Sequence, residues 1–203
     1  EDDPLALELN AVLPHRLEKW CEQNTARIMQ FSTDCVFDGK RGAYTDLDIP
    51  NAQDLYGRSK AQGELRGRSA LTIRSSFIGR ELEHFTELVE WFLAQKGKTV
   101  RGFAGAMYSG MTTLELVRVV SELISGGLKL HGVYNIASAP ISKFDLISLI
   151  NKDFKAGVTI ERDEKIVVHR DLDGKKFEVE TGIKIRSWNE MIQEMAQDPT
   201  PYE

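Results

Sequence analysis

Short, largely apolar runs that alternate with amphipathic stretches constrain this chain more than any other feature. Arg27-Ile-Met-Gln-Phe-Ser-Thr33 reads as a strand buried on both faces, and Ala70-Leu-Thr-Ile-Arg74 and Val133-Tyr-Asn-Ile-Ala137 read as further strands. Before the first of them, Leu5, Leu9, Val12, Leu13, Leu17, Trp20 and Cys21 recur at three- and four-residue steps. That spacing predicts a helix over Pro4 to Asn24, with Asp3 as its cap. Further helices are predicted from Leu55 toward Leu65, over Glu87 to Gln95, and over Thr113 to Ser125, the last with Leu114, Leu116, Val117, Val120 and Leu123 on its apolar side. Lys143 to Asp153, capped by Ser142, and Trp188 to Ala196 complete the helices, and short strands are expected over Thr99 to Phe103, Val158 to Arg162 and Ile166 to His169. Strands alternating with helices imply an α/β fold with a largely parallel sheet. The shorter, less regular elements after His131 read as a small lobe, which divides the chain into residues 1–130 and 131–203, with segments exchanged between the two.

Composition narrows the function classes. A formal net charge of −5 disfavours a nucleic-acid binder, although a few local donors can still hold a phosphate. Cys21 and Cys35 are too few for a disulfide framework and lack metal-ligand spacing. Cys21 falls on the first helix and Cys35 in an apolar strand, so both read as buried reduced thiols, and no metal is expected. No apolar run approaches a membrane span and no signal-peptide pattern opens the chain, which makes a cytoplasmic enzyme the default.

The chemistry centres on Tyr56-Gly-Arg-Ser-Lys60, which puts a phenol and an ammonium four residues apart on one helical face. A phenol with a pKa near ~10 is a poor acid or base at neutral pH. Bringing it toward ~7 takes about 4 kcal/mol of preference for phenolate. A cation roughly 4 Å away supplies about that much at an effective dielectric near 20. The expectation is therefore that Lys60 lowers the Tyr56 pKa. Ser32-Thr33-Asp34 ends the first buried strand, where α/β sheets present polar groups to a ligand. In the expected mechanism Tyr56 gives a proton to a substrate carbonyl, Thr33 positions the oxygen, and a nicotinamide supplies the hydride. By itself a Tyr-x-x-x-Lys pair is more often a surface pair without function; the strand, polar loop and helix around it give it weight.

Those residues also carry a resemblance. Phe31-Ser-Thr-Asp-Cys-Val-Phe-Asp-Gly39, Tyr44-Thr-Asp-Leu-Asp-Ile-Pro50 and Leu55-Tyr-Gly-Arg-Ser-Lys60 with Gly63-Glu64 closely resemble the extended short-chain dehydrogenase/reductases. Within them the chain looks most like the dTDP-4-dehydrorhamnose reductase branch of sugar-nucleotide reductases, and the likeness continues through Thr72-Ile-Arg-Ser-Ser-Phe77, Gly110-Met-Thr-Thr113, Tyr134-Asn-Ile-Ala137 and Arg170-Asp-Leu-Asp173. The resemblance implies Thr33, Tyr56 and Lys60 as the catalytic group, with Tyr56 and Lys60 also touching the nicotinamide ribose. It implies Ser32, Ser75 and Ser76 at the cofactor, and Asp34, Phe77 and Arg170 at the substrate. Asn10 would support the active-site lysine. Asn10 could equally be a helix-surface amide, Phe77 a core residue and Arg170 an exposed side chain without a role. Cys35 stands where many relatives carry Tyr, which implies altered pocket packing and the same reaction type.

The family's fold is a Rossmann-like doubly wound sheet that opens with a Gly-x-x-Gly-x-x-Gly turn, and no such turn occurs here. Gly102-x-x-Gly105 comes nearest, without a following helix, and reads as a loop. The expectation is a partial Rossmann-like domain whose glycine-rich half is absent, carried by a longer protein. The activity implied is reduction of the 4-keto group of a nucleotide-linked deoxysugar with NADP or NAD as cofactor, in dTDP-rhamnose or related polysaccharide biosynthesis. An epimerase or dehydratase on a similar sugar nucleotide, or a catalytically silent nucleotide-binding relative, stays open, as does a homodimer.

Overall fold

A computed structural model describes residues 3–127 and 129–202. The chain enters through α1 (Asp3–Leu7) and α2 (Leu13–Gln23), joined without a break by one wide turn over Glu8–Val12 with π-type hydrogen bonding. β1 (Ile28–Ser32) follows, a short 3-10 turn covers Asp34–Val36, and the polar loop leads to α3 (Leu55–Gln62), capped by the Asp54 carboxylate on Gly57 N. β2 (Ala70–Arg74) lies between β1 and β6 (Gly132–Asn135) in a three-stranded, all-parallel sheet, with every β2 residue buried. β3 (Phe77–Ile78) pairs in parallel with β5 (Met111–Thr112). Between them run α4 (Leu88–Leu93) and β4 (Thr99–Tyr108), and α5 (Thr113–Ser125) follows β5.

β7 (Ile141–Ser142) leads into α6 (Lys143–Asp153), whose Ser142 cap accepts from Asp145 N as its sequence predicts. β8 (Thr159–His169), α7 (Lys175–Thr181) and α8 (Trp188–Gln197) close the chain. β4 is the centre of a second three-stranded sheet, antiparallel to β7 and parallel to β8. One apolar cluster joins the two sheets: Ile73, Phe92, Val119, Ile136, Leu146, Ile150, Phe177 and Met191 are all fully buried in it. On α5, Leu116 and Leu123 are buried and Leu114 and Val120 pack against the core as the spacing predicts, with Val119 buried beside them, whereas Val117 is exposed.

Several boundaries differ from expectation for non-local reasons. Gly102 and Gly105 lie inside β4, not in a loop: β4 runs for ten residues because β8 pairs along it, with the register shifting between Phe103 and Gly105. The two short strands expected over 158–162 and 166–169 are one, for the same reason. Cys35 sits on the 3-10 turn after β1 and is half-buried; Cys21 is buried, and both are free thiols. α7 has no apolar stripe of helical period beyond Phe177, so only the left-handed Gly182 after it signals a helix end.

Candidate active site

Two neighbouring strands of the first sheet, β1 and β2, stop at a polar cluster. β1 ends at Ser32 and Thr33, and β2 ends at Arg74 and Ser75, all buried. α3 crosses in front of them. Its approach requires Gly57: a Cβ there would lie 2.2 Å from the Cys35 carbonyl oxygen and 2.5 Å from the Ala52 Cβ. The neighbouring Tyr56 is thereby brought beside the Thr33–Cys35 turn, half-exposed at 52%. Asn10 is no surface amide: its side-chain NH2 donates to Ser59 Oγ at 3.2 Å, tying the wide turn of the first helix to the back of α3. It does not line the cleft in front.

That cleft encloses about 590 Å³ and is lined by Ser32, Thr33, Cys35, Tyr56, Lys60, Ser75, Ser76 and Phe77, among others. Phe77 is 49% exposed, so it is a wall and not a core residue. Asp34 accepts from Ser76 Oγ at 2.5 Å and from Thr33 Oγ1 at 3.3 Å on the same oxygen, while Thr33 Oγ1 accepts from Cys35 N at 3.1 Å. Arg170 stands on the far side of Asp34, its Nη1 donating to Cys35 Sγ at 3.6 Å. It lines a second chamber and not the first.

The electrostatics depart from the sequence-based expectation. The Tyr56 phenol is raised above its ordinary value of 10: partial burial raises it most, the neighbouring Cys35, Asp34 and Asp54 add to this, and only the hydrogen bond with Thr33 opposes them. Lys60 Nζ donates to the Phe31 carbonyl oxygen at 2.6 Å, and burial lowers its pKa against the raising effect of Glu64. The ammonium is spent on the end of β1, and the carboxylates of Asp34 and Asp54 lie near the phenol. Burial, then the Asp34 charge, likewise push the Cys35 thiol up, against the lowering effect of Thr33 and Arg170. In this state the Tyr56 phenol keeps its proton at neutral pH.

The pH consequence follows from the direction. A folded phenol that holds its proton more firmly than the unfolded chain contributes stability below pH ~10 and loses it as pH rises through the folded value. Ultraviolet titration of the protein minus its Tyr56→Phe variant should therefore place the Tyr56 transition above 10. A transition near neutrality would restore the Lys60-tuned phenol.

Two features at this site were not anticipated. Arg74 and Glu64 form a fully buried pair, Nε to Oε1 at 2.6 Å and Nη2 to Oε2 at 2.7 Å, and Ser32 Oγ donates to the same carboxylate at 3.0 Å. The signal was an arginine inside an otherwise buried strand, which must find a carboxylate. Tyr108, at the end of β4, enters the second chamber only because β4 is twice the expected length. Among the described residues no helix is long and apolar enough to cross a membrane, and no group of three His, Cys, Asp or Glu side chains could hold a metal ion.

A family model described as the RmlD substrate binding domain matches residues 1–200. The dTDP-4-dehydrorhamnose reductase of Aggregatibacter actinomycetemcomitans is 30% identical over 152 residues, covering 68% of this chain and 51% of that protein, so the chain spans about half the length of this relative. Among solved structures, a dTDP-4-dehydrorhamnose reductase from Clostridium acetobutylicum superposes with a TM-score of 0.82 at 23% identity, covering 96% of this chain and 74% of that one. A second, from Bacillus anthracis in complex with NADP, gives 0.81 at 20% identity over 96% and 73%. At these identities the structures share the fold, α/β with a Rossmann-like parallel sheet.

Proposed function

The chain belongs to the RmlD substrate-binding domain family, and from that premise we propose that its protein reduces the 4-keto group of a nucleotide-activated 6-deoxysugar with NADPH or NADH. The observation that carries this reading is the meeting of Thr33, Tyr56 and Lys60 in one cleft at the ends of β1 and β2. The donor set fits the nicotinamide end of such a cofactor: a phenol, an ammonium and the hydroxyls of Ser75 and Ser76 face one space of about 590 Å³. When bound, the cofactor supplies the hydride.

The remaining steps belong to the chain. Tyr56 holds its proton at neutral pH and gives it from its hydroxyl to the substrate oxygen. Thr33 has a single hydroxyl proton, now directed at Asp34, and turns it to the same oxygen to orient the carbonyl. The phenolate left behind is offset by the Lys60 ammonium, one helical turn away, once it leaves the Phe31 carbonyl. A dehydratase would need a free acid beside this hydroxyl. Asp34 has one oxygen committed to Ser76 and Thr33, and the residue after it is a thiol held in its protonated form, which favours simple reduction.

The test is direct. With dTDP-4-keto-6-deoxyglucose, the protein carrying this chain should consume one reduced nicotinamide per 4-hydroxy sugar formed, followed at the reduced-nicotinamide absorbance band and by product chromatography. Tight sugar-nucleotide binding without cofactor oxidation would overturn the reading in favour of a silent relative.

A further inference from the structure

The segment leaving α3 crosses the first sheet on a seam of buried polar side chains. Gln30 and Ser32 of β1 stand in register with Thr72 and Arg74 of β2, and alternate residues of a strand share a face. All four are buried. Leu65 N donates to Thr72 Oγ1 at 2.9 Å and more weakly to Gln30 Oε1 at 3.3 Å, and the Thr72 hydroxyl donates back to the Leu65 carbonyl at 2.9 Å. One row along, Glu64 Oε1 accepts from Ser32 Oγ at 3.0 Å and from Arg74 Nε at 2.6 Å.

A buried ion pair is often no more stable than apolar side chains of the same size in its place. What it adds is geometry, because a hydrogen bond holds only over a narrow range of distance and angle. That geometry is needed next door. Glu64 does not line the catalytic cleft, but its partner Ser32 does, and Thr33 follows Ser32. Lys60, four residues before Glu64, donates to the carbonyl of Phe31, the residue before Ser32. Two side chains at the end of α3 thus grip successive residues of β1. Gly63 beside Glu64 packs so close to the first helix that a Cβ would lie 1.8 Å from the Asn10 carbonyl oxygen, which leaves the segment little room to shift. When Lys60 turns from the Phe31 carbonyl to the phenolate, the bond from Ser32 to Glu64 is the one that keeps the strand end in place.

We infer that Glu64 is a positioning residue: by holding Ser32 it fixes the end of β1 against α3, and so keeps the Thr33 hydroxyl converging with Tyr56 on the substrate oxygen. This role rests on the reductase reading above and adds to it a residue outside the cleft.

The experiment separates position from stability. In the protein carrying this chain, Glu64→Leu with Arg74→Met removes the acceptor of Ser32 without leaving a buried charge unpaired, and Ser32→Ala is made in both backgrounds. Ser32→Ala leaves the bonds between Glu64 and Arg74 in place, so its urea midpoint should change little. It should lower kcat about tenfold, with KM for the reduced nicotinamide unchanged. The double variant should regain its urea midpoint while kcat stays at least about tenfold low, and Ser32→Ala should then add no further loss. Should the double variant not fold, Thr72→Val in the next row takes its place: lowered kcat at unchanged KM supports the role, and normal kcat overturns it. A double variant that regains stability and turnover together also overturns it and leaves the reductase standing. So does a Ser32→Ala loss of equal size in both backgrounds, or one seen as a raised nicotinamide KM, since Ser32 would then act on the cofactor directly. An unaltered protein that oxidises no reduced nicotinamide with the keto sugar overturns both.

Discussion

Replacing Glu64 by Ala should destabilise the fold by about 3–5 kcal/mol, because it leaves the Arg74 guanidinium charged, buried and unpaired. Arg74 has no exposed side-chain surface, and Glu64 takes both of its short hydrogen bonds while also accepting from Ser32. The remaining contacts of Arg74 are weak substitutes: the Asp48 carbonyl at 3.5 Å and the face of Phe37, 5.1 Å from its guanidinium carbon. Phe37 is in turn stacked on Tyr44 at 4.1 Å, so the loss extends into the polar loop. The magnitude reflects the orphaned charge more than the worth of the pair. A double variant, Glu64→Leu with Arg74→Met, should therefore recover most of the loss. Urea denaturation followed by circular dichroism measures all three proteins. A single variant that loses less than about 1 kcal/mol would place the pair among ordinary surface bridges. The same carboxylate joins the segment just after α3 to the ends of β1 and β2, so a partly folded Glu64→Gln protein should lose turnover before it loses helix content.

Tyr56→Phe should lower kcat by about 10²–10⁴-fold while leaving stability within about 0.5 kcal/mol. The phenol is half-exposed, and the buried Thr33 hydroxyl keeps its bonds to Asp34 and Cys35 without it, so its removal empties no core and leaves Thr33 satisfied. KM for the keto sugar should change little, since the proton transfer is made in the transition state and not in the bound ground state. Thr33→Val should cost less, and the double variant should fall little below Tyr56→Phe alone, because a carbonyl positioned for a missing proton gains nothing. Additive losses in the double variant would mean that the two hydroxyls act on different steps. Steady-state kinetics on the four proteins decides it.

The elements most legible in the sequence were those whose reasons are local. β2 and α6 carry their own signals: an apolar run of strand length in one, a serine cap and helical period in the other. β4 was cut short on paper because its length is set by β8, some 60 positions on. The buried charge pair was half visible, since an arginine in an apolar strand requires a partner, but the partner's identity depends on how α3 ends against β2. Tyr108 carried no signal, since a tyrosine at the end of a strand is usual; its chamber exists only where β4, β8 and α6 meet the loop after β1.

Residue spacing was enough to put Tyr56 and Lys60 on one helical face beside the strand that ends in Thr33. Covalent geometry does that, because four residues make about one turn of helix wherever the helix lies. The sign of the phenol's shift was decided by the tertiary structure alone. Electrostatic effects depend on distance, burial and competing partners, and the fold gives the Lys60 ammonium to Phe31 while it places Cys35, Asp34 and Asp54 around the phenol. The spacing of Tyr56 and Lys60 was written in the order of residues, and the phenol's hold on its proton was set by what packs beside it.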